Sequence, residues 1–319
     1  MLTANQLKGV TVATVLPFKS DGQIDWGSFE KLIRYTCFRP GITAVFVNGH
    51  AGEVATLSPQ ERTDVIRFTR RLIGKQKPLM AGVVAYSTQE AQSRAAEAAL
   101  AGADVAVLFP FPQFSGGAGA HPFAGLDYVE AIAKAVDIPL SIFQYPLQSG
   151  AGFTTHVLTQ IAQNLRVIAI KEGSGTIGAY EDNWRSIRAA APHVAFLPSN
   201  YDWWLPQLAI GADGILSGLG SLVPEHLTRL WTAAEKCDLV SMRQINDQLY
   251  PIVRGIYGAP PIMNMHSRIK VALAHLGVIA HAEPRSPLPP IAADEVRSIQ
   301  TMVEKWGVPR YEHVITTDS

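Results

Sequence analysis

The fold is indicated most clearly by residues 166–175, which read Arg-Val-Ile-Ala-Ile-Lys-Glu-Gly-Ser-Gly. Val167, Ile168 and Ile170 predict a short buried strand, because β-branched side chains pack well on a pleated surface. The glycines that follow end this strand, so Lys171 lies where the strand gives way to a turn. A lysine at such a junction is expected at the mouth of the fold, with its aliphatic stem in apolar surroundings.

The position of Lys171 predicts a reactive amine. Burial disfavours the charged ammonium, so the pKa of this side chain should fall from about 10.4 toward neutrality. A neutral amine is a nucleophile that can form an imine with a ketone. This segment alone also allows a lysine that is merely solvated or paired with a carboxylate.

The rest of the chain repeats one pattern around this stretch. From residue 10 to about residue 235, short apolar runs alternate with longer amphipathic runs. The predicted strands are 10–16, 43–48, 79–84, 104–109, 138–144, 167–171, 194–198 and 213–217. The predicted helices are 26–37, 58–74, 87–101, 124–136, 156–164, 179–190, 202–210 and 223–235. Such alternation is typical of βαβ units, and about eight units in ~225 residues favour a closed (β/α)8 TIM barrel.

The domain organisation follows from the same pattern. The sequences at 58–61 and 87–90 predict capping boxes at two of the helix starts. Pro17 follows the first strand where a dinucleotide-binding fold would have glycines, which argues against a Rossmann arrangement. We predict that residues 1–235 form the barrel. Residues 236–319 are predicted to form a helical extension of roughly three helices that packs on the barrel and is not independent.

Composition limits the kind of partner. The chain has 319 residues, of which 47% are hydrophobic and 17% are charged, with 27 basic and 27 acidic residues. This balance, without a basic stripe, predicts neither a nucleic-acid nor a membrane partner. Two distant cysteines indicate no disulfide framework, and no apolar run reaches the ~20 residues of a membrane span. The N-terminus lacks the apolar region of a signal peptide, so a cytoplasmic location is expected.

The loop after the second predicted strand is a candidate anion site. In (β/α)8 barrels the chemistry lies on loops at the carboxyl ends of the strands. Here that loop reads Asn-Gly-His-Ala-Gly-Glu at 48–53, and its two glycines predict a tight turn whose backbone amides can converge on an anion. A turn that only launches the next helix is the alternative.

These pieces, in this order, resemble the dihydrodipicolinate synthase and N-acetylneuraminate lyase family of class I aldolases. The resemblance covers most of the chain and is carried by the turn at 49–53, the proline-bearing loop that ends at Gly150, Ile-Lys-Glu at 170–172, and the segment 268–289. It implies a (β/α)8 barrel with a C-terminal helical region, assembled as a homotetramer or homodimer. It also implies a Schiff base between Lys171 and pyruvate or a larger 2-keto acid, whose carboxylate binds the backbone amides of His50 and Ala51.

The sequence departs from the family at the proton-shuttling tyrosine. Family members generally have tyrosine where this chain has Phe143, and phenylalanine has no hydroxyl. Tyr145 lies two residues further on, which on a strand means the same face. It could supply a substitute phenol for a larger substrate, or it could only pack against Pro146.

Further departures concern the substrate. His50 and Ala51 replace two hydroxyl residues of the family turn, and the imidazole could act as a general acid and base, orient a substrate oxygen, or pack. Gln148 replaces the arginine that grips a second carboxylate in the synthase, which argues against dihydrodipicolinate synthesis. The apolar loop at 109–114 either packs or contacts an apolar part of the substrate. Substrate contacts are predicted for Ala51, Gly49, Phe143, Gln148, Phe111, Ser217 and Gly218.

The sequence thus predicts a class I lyase that forms an imine on Lys171 and makes or breaks a carbon–carbon bond, with Tyr145, His50 or a bound water as the proton carrier. A sugar-acid dehydratase of the same family would use the same imine. A keto-acid-binding barrel that has lost its proton relay is the alternative from another class, and a phosphate-handling barrel enzyme is a third. Imine chemistry needs no metal, and no cofactor is expected.

Overall fold

Eight parallel strands form a single sheet in the computed structural model, which describes residues 2–117, 121–199, 201–307 and 311. The strands are β1 (Gly9–Ala13), β2 (Ile42–Val47), β3 (Leu79–Val83), β4 (Val105–Leu108), β5 (Leu140–Gln144), β6 (Val167–Glu172), β7 (Ala195–Pro198) and β8 (Gly214–Ser217). Their order is β7-β6-β5-β4-β3-β2-β1-β8. The two ends of this row meet where the backbone N–H of Asp213 donates to the carbonyl of Phe196 at 2.9 Å. The predicted (β/α)8 TIM barrel is confirmed.

Helices follow the strands in regular succession. They are α1 (Trp26–Cys37), α2 (Pro59–Ile73), α3 (Thr88–Ala101), α4 (Pro122–Ala135), α5 (Thr155–Ala162), α6 (Ile177–Ala190), α7 (Trp204–Ile210) and α8 (Pro224–Glu235). The capping box predicted at 58–61 forms, with both reciprocal bonds present at the start of α2. The one predicted at 87–90 forms only in part. Ser87 accepts from the backbone of Glu90, whose carboxylate instead accepts from the backbone N–H of Tyr86 at 2.7 Å.

Further helices follow the barrel. They are α9 (Leu239–Ile252), α10 (Met265–His275) and α11 (Ala293–Trp306), and a π-helical turn at Val253–Tyr257 continues α9. Helix α9 packs against α8, and α11 packs against α10. Within the described ranges, no helix combines the length and the hydropathy needed to cross a bilayer.

The strands carry the core and set the position of the candidate site. Every residue of β5 and β6 is buried, Lys171 and Glu172 included. The register of these strands pairs Phe143 with Lys171, and that of β6 and β7 pairs Lys171 with Leu197. Since side chains alternate between the two faces of a strand, Lys171 shares the inner face with Ala169 while Glu172 points outward.

Candidate active site

Lys171 lies at the carboxyl end of β6 and is only 7% exposed. Its Nζ lies 3.6 Å from the ring centroid of Phe143 and 5.4 Å from that of Phe46. Among the described residues, no carboxylate forms an ion pair with this amine. Burial without a counter-ion lowers the pKa of Lys171 to about 7. A large share of the amine is therefore neutral and nucleophilic at physiological pH.

Four rings form an aromatic cluster next to this amine: His50, Phe109, Phe143 and Tyr145. The ring centroids of Phe143 and Tyr145 lie 4.6 Å apart, and those of His50 and Phe109 lie 5.0 Å apart. His50 also contacts Phe143 and Tyr145, with centroid distances of 5.7 and 5.8 Å. Phe143 and Tyr145 thus face the same side, as the strand pattern predicts.

A hydrogen bond joins Nε2 of His50 to the hydroxyl of Tyr145, and the tautomer of the imidazole decides which atom donates. Burial raises the pKa of Tyr145. His50 is exposed as a residue, yet loss of hydration around its ring and the charge of Lys171 lower its pKa. Both groups are therefore neutral at neutral pH. They form a pair within which a proton can move beside the reactive amine.

The turn at 48–53 has the geometry of a backbone anion site. Asn48 and Glu53 both adopt positive φ angles, 55° and 52°. The backbone N–H of Glu53 donates to the carbonyl of His50 at 3.0 Å, which closes the turn. In the described part of the chain, the backbone amides of His50 and Ala51 have no acceptor. Two free amides on a constrained turn suit a carboxylate.

Two glycines allow this turn to pack closely. A Cβ on Gly49 would lie 2.8 Å from the ring of Phe46. A Cβ on Gly82, in β3, would lie 1.9 Å from the carbonyl oxygen of Asn48. Both positions therefore require glycine for the backbone to approach as it does. Substrate contact at Gly49 stays a prediction.

A buried ion pair supports the turn from behind. Nζ of Lys270, on α10, lies 2.5 Å from Oε1 of Glu53, and Lys270 is fully buried. The other carboxylate oxygen of Glu53 accepts from the backbone N–H of Arg285 at 2.8 Å. Burial lowers the pKa of Lys270, while the negative charge of Glu53 opposes that shift. The C-terminal extension is thus tied directly to the anion turn.

The loop after β8 meets two residues that the sequence analysis did not identify. Gly218 packs so closely that a Cβ would lie 2.7 Å from the hydroxyl of Tyr257 and 3.1 Å from Nε2 of His266. The hydroxyl of Tyr257 and Nε2 of His266 are 3.3 Å apart. Burial, with the charges of His50 and Lys171, lowers the pKa of His266. The neighbouring Ser217 uses its hydroxyl to accept from the backbone of Leu219 at 3.2 Å.

His266 was missed because only its place in the fold makes it relevant. It is the second residue of α10 and lies 95 residues beyond Lys171 in the sequence. A histidine between Met265 and Ser267 carries no spacing signal toward either glycine turn or toward β6. The contact with Gly218 in the folded structure is what places His266 at the mouth of the barrel.

The structure therefore brings most of the predicted site residues to one end of the barrel, whereas Phe111 and Gln148 have no recorded contact with the aromatic cluster. The rings of Phe111, Phe114 and Tyr128 form a separate group, in which Phe111 lies 5.4 Å from Phe114 and 5.9 Å from Tyr128. Gln148 is exposed on the loop after β5. Substrate contacts at Phe111 and Gln148 stay predictions.

As a whole, the arrangement suits addition of an amine to a carbonyl compound that also bears a carboxylate. Lys171 provides the nucleophile, and the turn at 48–53 provides amides for the anion. The His50–Tyr145 pair provides a proton acceptor and donor. All three come from loops or strand ends at the carboxyl side of the barrel, where barrel enzymes carry their chemistry.

Comparison with known proteins agrees with this arrangement. The model of the Dihydrodipicolinate synthetase family matches residues 6–306. A 4-hydroxy-tetrahydrodipicolinate synthase from Protochlamydia amoebophila is 30% identical over 251 residues, which cover 79% of this chain and 82% of the relative. The dihydrodipicolinate synthase of Thermotoga maritima superposes with a TM-score of 0.86 at 23% identity, covering 94% of this chain and 98% of that one. A prophage protein of the dihydrodipicolinic acid synthase family from E. coli K12, solved in complex with pyruvate, gives a TM-score of 0.84 at 22% identity, covering 94% and 98%.

Proposed function

The chain belongs to the dihydrodipicolinate synthetase family, and we propose that it forms an imine between Lys171 and a 2-keto acid, then makes or breaks a carbon–carbon bond beside it. As a member of this family it is a lyase of the Schiff-base aldolase type. The observation that carries the proposal is the amine of Lys171, buried without a counter-ion and with its pKa lowered to about 7. The pyruvate held by the E. coli relative is consistent with a small keto acid as substrate.

The first steps follow from the turn and the amine. The substrate carboxylate accepts hydrogen bonds from the backbone amides of His50 and Ala51, which places the adjacent ketone near Lys171. Nζ adds to the carbonyl carbon, and loss of water gives the imine. Its protonated form withdraws electrons from the neighbouring carbon, so a bond beside it can break or form.

The His50–Tyr145 pair moves the proton. In the cleavage direction, the C4 hydroxyl of the substrate gives its proton to this pair while the C3–C4 bond breaks. The electron pair of that bond passes into an enamine on Lys171, and an aldehyde leaves. Protonation of the enamine carbon and hydrolysis of the imine release the smaller 2-keto acid and regenerate the amine. The pair thereby replaces the hydroxyl that Phe143 lacks.

We do not propose that this chain catalyses the specific reaction of the named relatives. Dihydrodipicolinate synthesis needs a grip on a second carboxylate, and the loop after β5 offers the neutral, exposed Gln148 in that place. We propose instead pyruvate or a larger 2-keto acid as the keto component. A homotetramer or homodimer and a cytoplasmic location are part of the same proposal and derive from the family resemblance.

Phe143 supports one alternative function, in which the barrel binds keto acids but does not convert them. Its ring lies on the amine of Lys171 and provides no hydroxyl for proton transfer. This alternative predicts imine formation without turnover, so trapping and kinetics must be measured on the same protein.

The test is reduction of the enzyme with borohydride in the presence of pyruvate, followed by peptide mapping by mass spectrometry. We expect an adduct on the peptide that contains Lys171, and none in the Lys171→Arg control. Tyr145→Phe should still be trapped, while its turnover of 4-hydroxy-2-keto acids falls about 10²- to 10⁴-fold, the usual contribution of a positioned acid–base group.

Three results would contradict parts of this proposal. Absence of the Lys171 adduct with every 2-keto acid tested would refute the imine. An adduct without turnover in the wild type, but with turnover in Phe143→Tyr, would support the binding barrel. Unchanged turnover in both Tyr145→Phe and His50→Ala would refute the proton pair.

A further inference from the structure

A cavity of about 420 Å³ lies on the outer side of the aromatic cluster. Its wall comes from the segment after the anion turn, from the start of α10, and from the chain before α11. Most of the lining is apolar, and it includes Val54, Ala55, Ile262, Met265 and Leu288. His50 and His266 complete it on the side of the barrel.

The two imidazoles join this cavity to the reactive amine. His50 is hydrogen-bonded to Tyr145 and contacts Phe143, the ring that lies on Lys171. His266 touches the loop after β8 at Gly218, and the charge of Lys171 acts on both imidazoles. Lys171 does not itself line the cavity, so His50 and His266 are the described residues that link the cavity wall to the surroundings of the amine.

The charges of the lining select against an anionic occupant. Among the described residues, the lining contains neither lysine nor arginine, and Glu53 is its one acidic side chain. Both carboxylate oxygens of Glu53 are already used by Lys270 and by the backbone of Arg285. A carboxylate or phosphate in the cavity would find no unpaired cation among the described lining residues, whereas an apolar group would gain from burial.

The cavity is also the better candidate for an apolar subsite than the loop at 109–114. In that loop, Phe111 and Phe114 pack against each other and against Tyr128. By contrast, Ile262 is 45% exposed and Met263 is 57% exposed at the cavity. Large apolar side chains left open beside a catalytic group are typical of a ligand site.

We propose that this cavity binds the part of the substrate beyond C4, and that the substrate is a 4-hydroxy-2-keto acid with an uncharged, largely apolar group on C4. The inference rests on the proposed imine chemistry and adds the substrate class. Cleavage of the C3–C4 bond leaves a three-carbon enamine on Lys171 and releases the apolar aldehyde, while the C4 hydroxyl proton passes to the His50–Tyr145 pair. A cavity of roughly 150 Å³ holds a benzene ring, so the volume here accommodates a phenyl or a short alkyl group.

The test compares cleavage of four 4-hydroxy-2-keto acids that carry methyl, propyl, phenyl or carboxylate on C4. In the wild type, kcat/KM should rise by about fourfold for each methylene that the cavity buries, and the carboxylate compound should be the poorest substrate. Ala55→Trp, which fills the cavity from an exposed position, should abolish that rise. Ala189→Trp, on an exposed position of α6, is the matched control and should keep it.

Borohydride trapping with pyruvate accompanies every variant and separates the two proposals. A wild type without the Lys171 adduct would overturn the imine and the cavity assignment together. An adduct combined with equal kcat/KM across the series, or with preference for the carboxylate compound, would overturn the cavity assignment alone. The cavity assignment alone would also be overturned if kcat/KM still rises along the series in both Ala55→Trp and Met263→Trp, the second cavity-filling variant.

Discussion

Burial of the Lys171 amine makes the folded state less stable, and the same burial keeps the amine reactive. Its pKa is about 7 in the fold, against about 10.4 in an unfolded chain. Below pH 7 the amine is charged in both states, so the folded state bears the whole cost of a buried ammonium. Between pH 7 and about 10.4 the unfolded chain binds more protons, so stability rises with pH. Above that range both states are neutral and the cost is gone.

We therefore expect Lys171→Met to stabilise the protein while removing its activity. At pH 6 the free energy of unfolding should increase by ~2–4 kcal/mol, somewhat below the full conversion of the pKa shift. Near pH 10.5 the increase should have largely disappeared. Urea denaturation of the wild type and the variant at pH 6, 8 and 10 measures this difference in the free energy of unfolding. Lys31→Met, at an exposed position of α1, should show no such trend. An effect of Lys171→Met that stays constant from pH 6 to pH 10 would contradict burial as the cause.

At the residue scale, the sequence predicts the environment of Lys171 better than the direction of loop side chains. A β-branched run before a glycine turn is a local pattern, and burial of its last residue follows from it. Phe111 and Phe114 lie after β4, at and within a short 3-10 helix (Pro112–Gly116) that gives too few residues for a sequence period to separate inward from outward positions. The structure places them against Tyr128, which is 14 residues beyond Phe114 in the sequence.

At the scale of elements, the alternating pattern predicts the number and order of the barrel's strands and helices. It predicts the residues at which they end less accurately. The first strand is predicted to reach residue 16, but β1 ends at Ala13. The backbone N–H of Val15 donates to the hydroxyl of Ser221 at 3.1 Å instead of to a neighbouring strand. Val15 and Leu16 are still fully or nearly fully buried, so the apolar pattern continues past the end of the ladder.

The link between α10 and the anion turn gives a prediction about that element. Lys270→Met should lower the free energy of unfolding by ~3–5 kcal/mol, because it leaves the buried Glu53 without its cation. The KM for the 2-keto acid should rise, since the turn loses its support. Chemical denaturation and steady-state kinetics measure the two effects.

Its control is an ion pair at the surface. Lys134→Met, which removes an exposed pair with Glu130 on α4, should cost ~0–1 kcal/mol. The double variant Glu53→Gln, Lys270→Met should be more stable than Lys270→Met alone, because it removes the uncompensated charge. A Lys270→Met variant as stable as the control would show that the pair contributes little to the turn.

At the scale of the whole molecule, two cationic side chains, the partly buried Arg285 and the fully buried Lys270, connect the extension to the barrel. The guanidinium of Arg285 donates to the carbonyl of Gly22 at 2.6 and 2.9 Å and to the carboxylate of Glu61 at 2.7 and 2.9 Å. It also lies over the ring of Phe18, 4.4 Å from the centroid. Lys270 adds its bond to Glu53. Neither part satisfies these groups by itself, which supports the prediction that residues 236–319 are not independent.

This predicts one cooperative unfolding transition for the full chain. In calorimetry, the measured enthalpy should equal the van't Hoff enthalpy. Arg285→Met should move the whole transition to lower temperature without splitting it. Arg185→Met, which removes an exposed pair with Glu181 on α6, should leave the transition almost in place. Two resolved transitions, in the wild type or in Arg285→Met, would contradict a single folding unit.

The cavity beside His50 has a consequence for biocatalysis. Its lining at 54–56, 262–266 and 287–288 lies outside the eight strands, whereas the nucleophile is carried by β6. On the proposed assignment of this cavity, libraries confined to these three segments should change which aldehyde is accepted while the strand that carries the nucleophile stays untouched. After duplication of such a gene, we therefore expect the range of accepted aldehydes to diverge faster than the imine chemistry on Lys171.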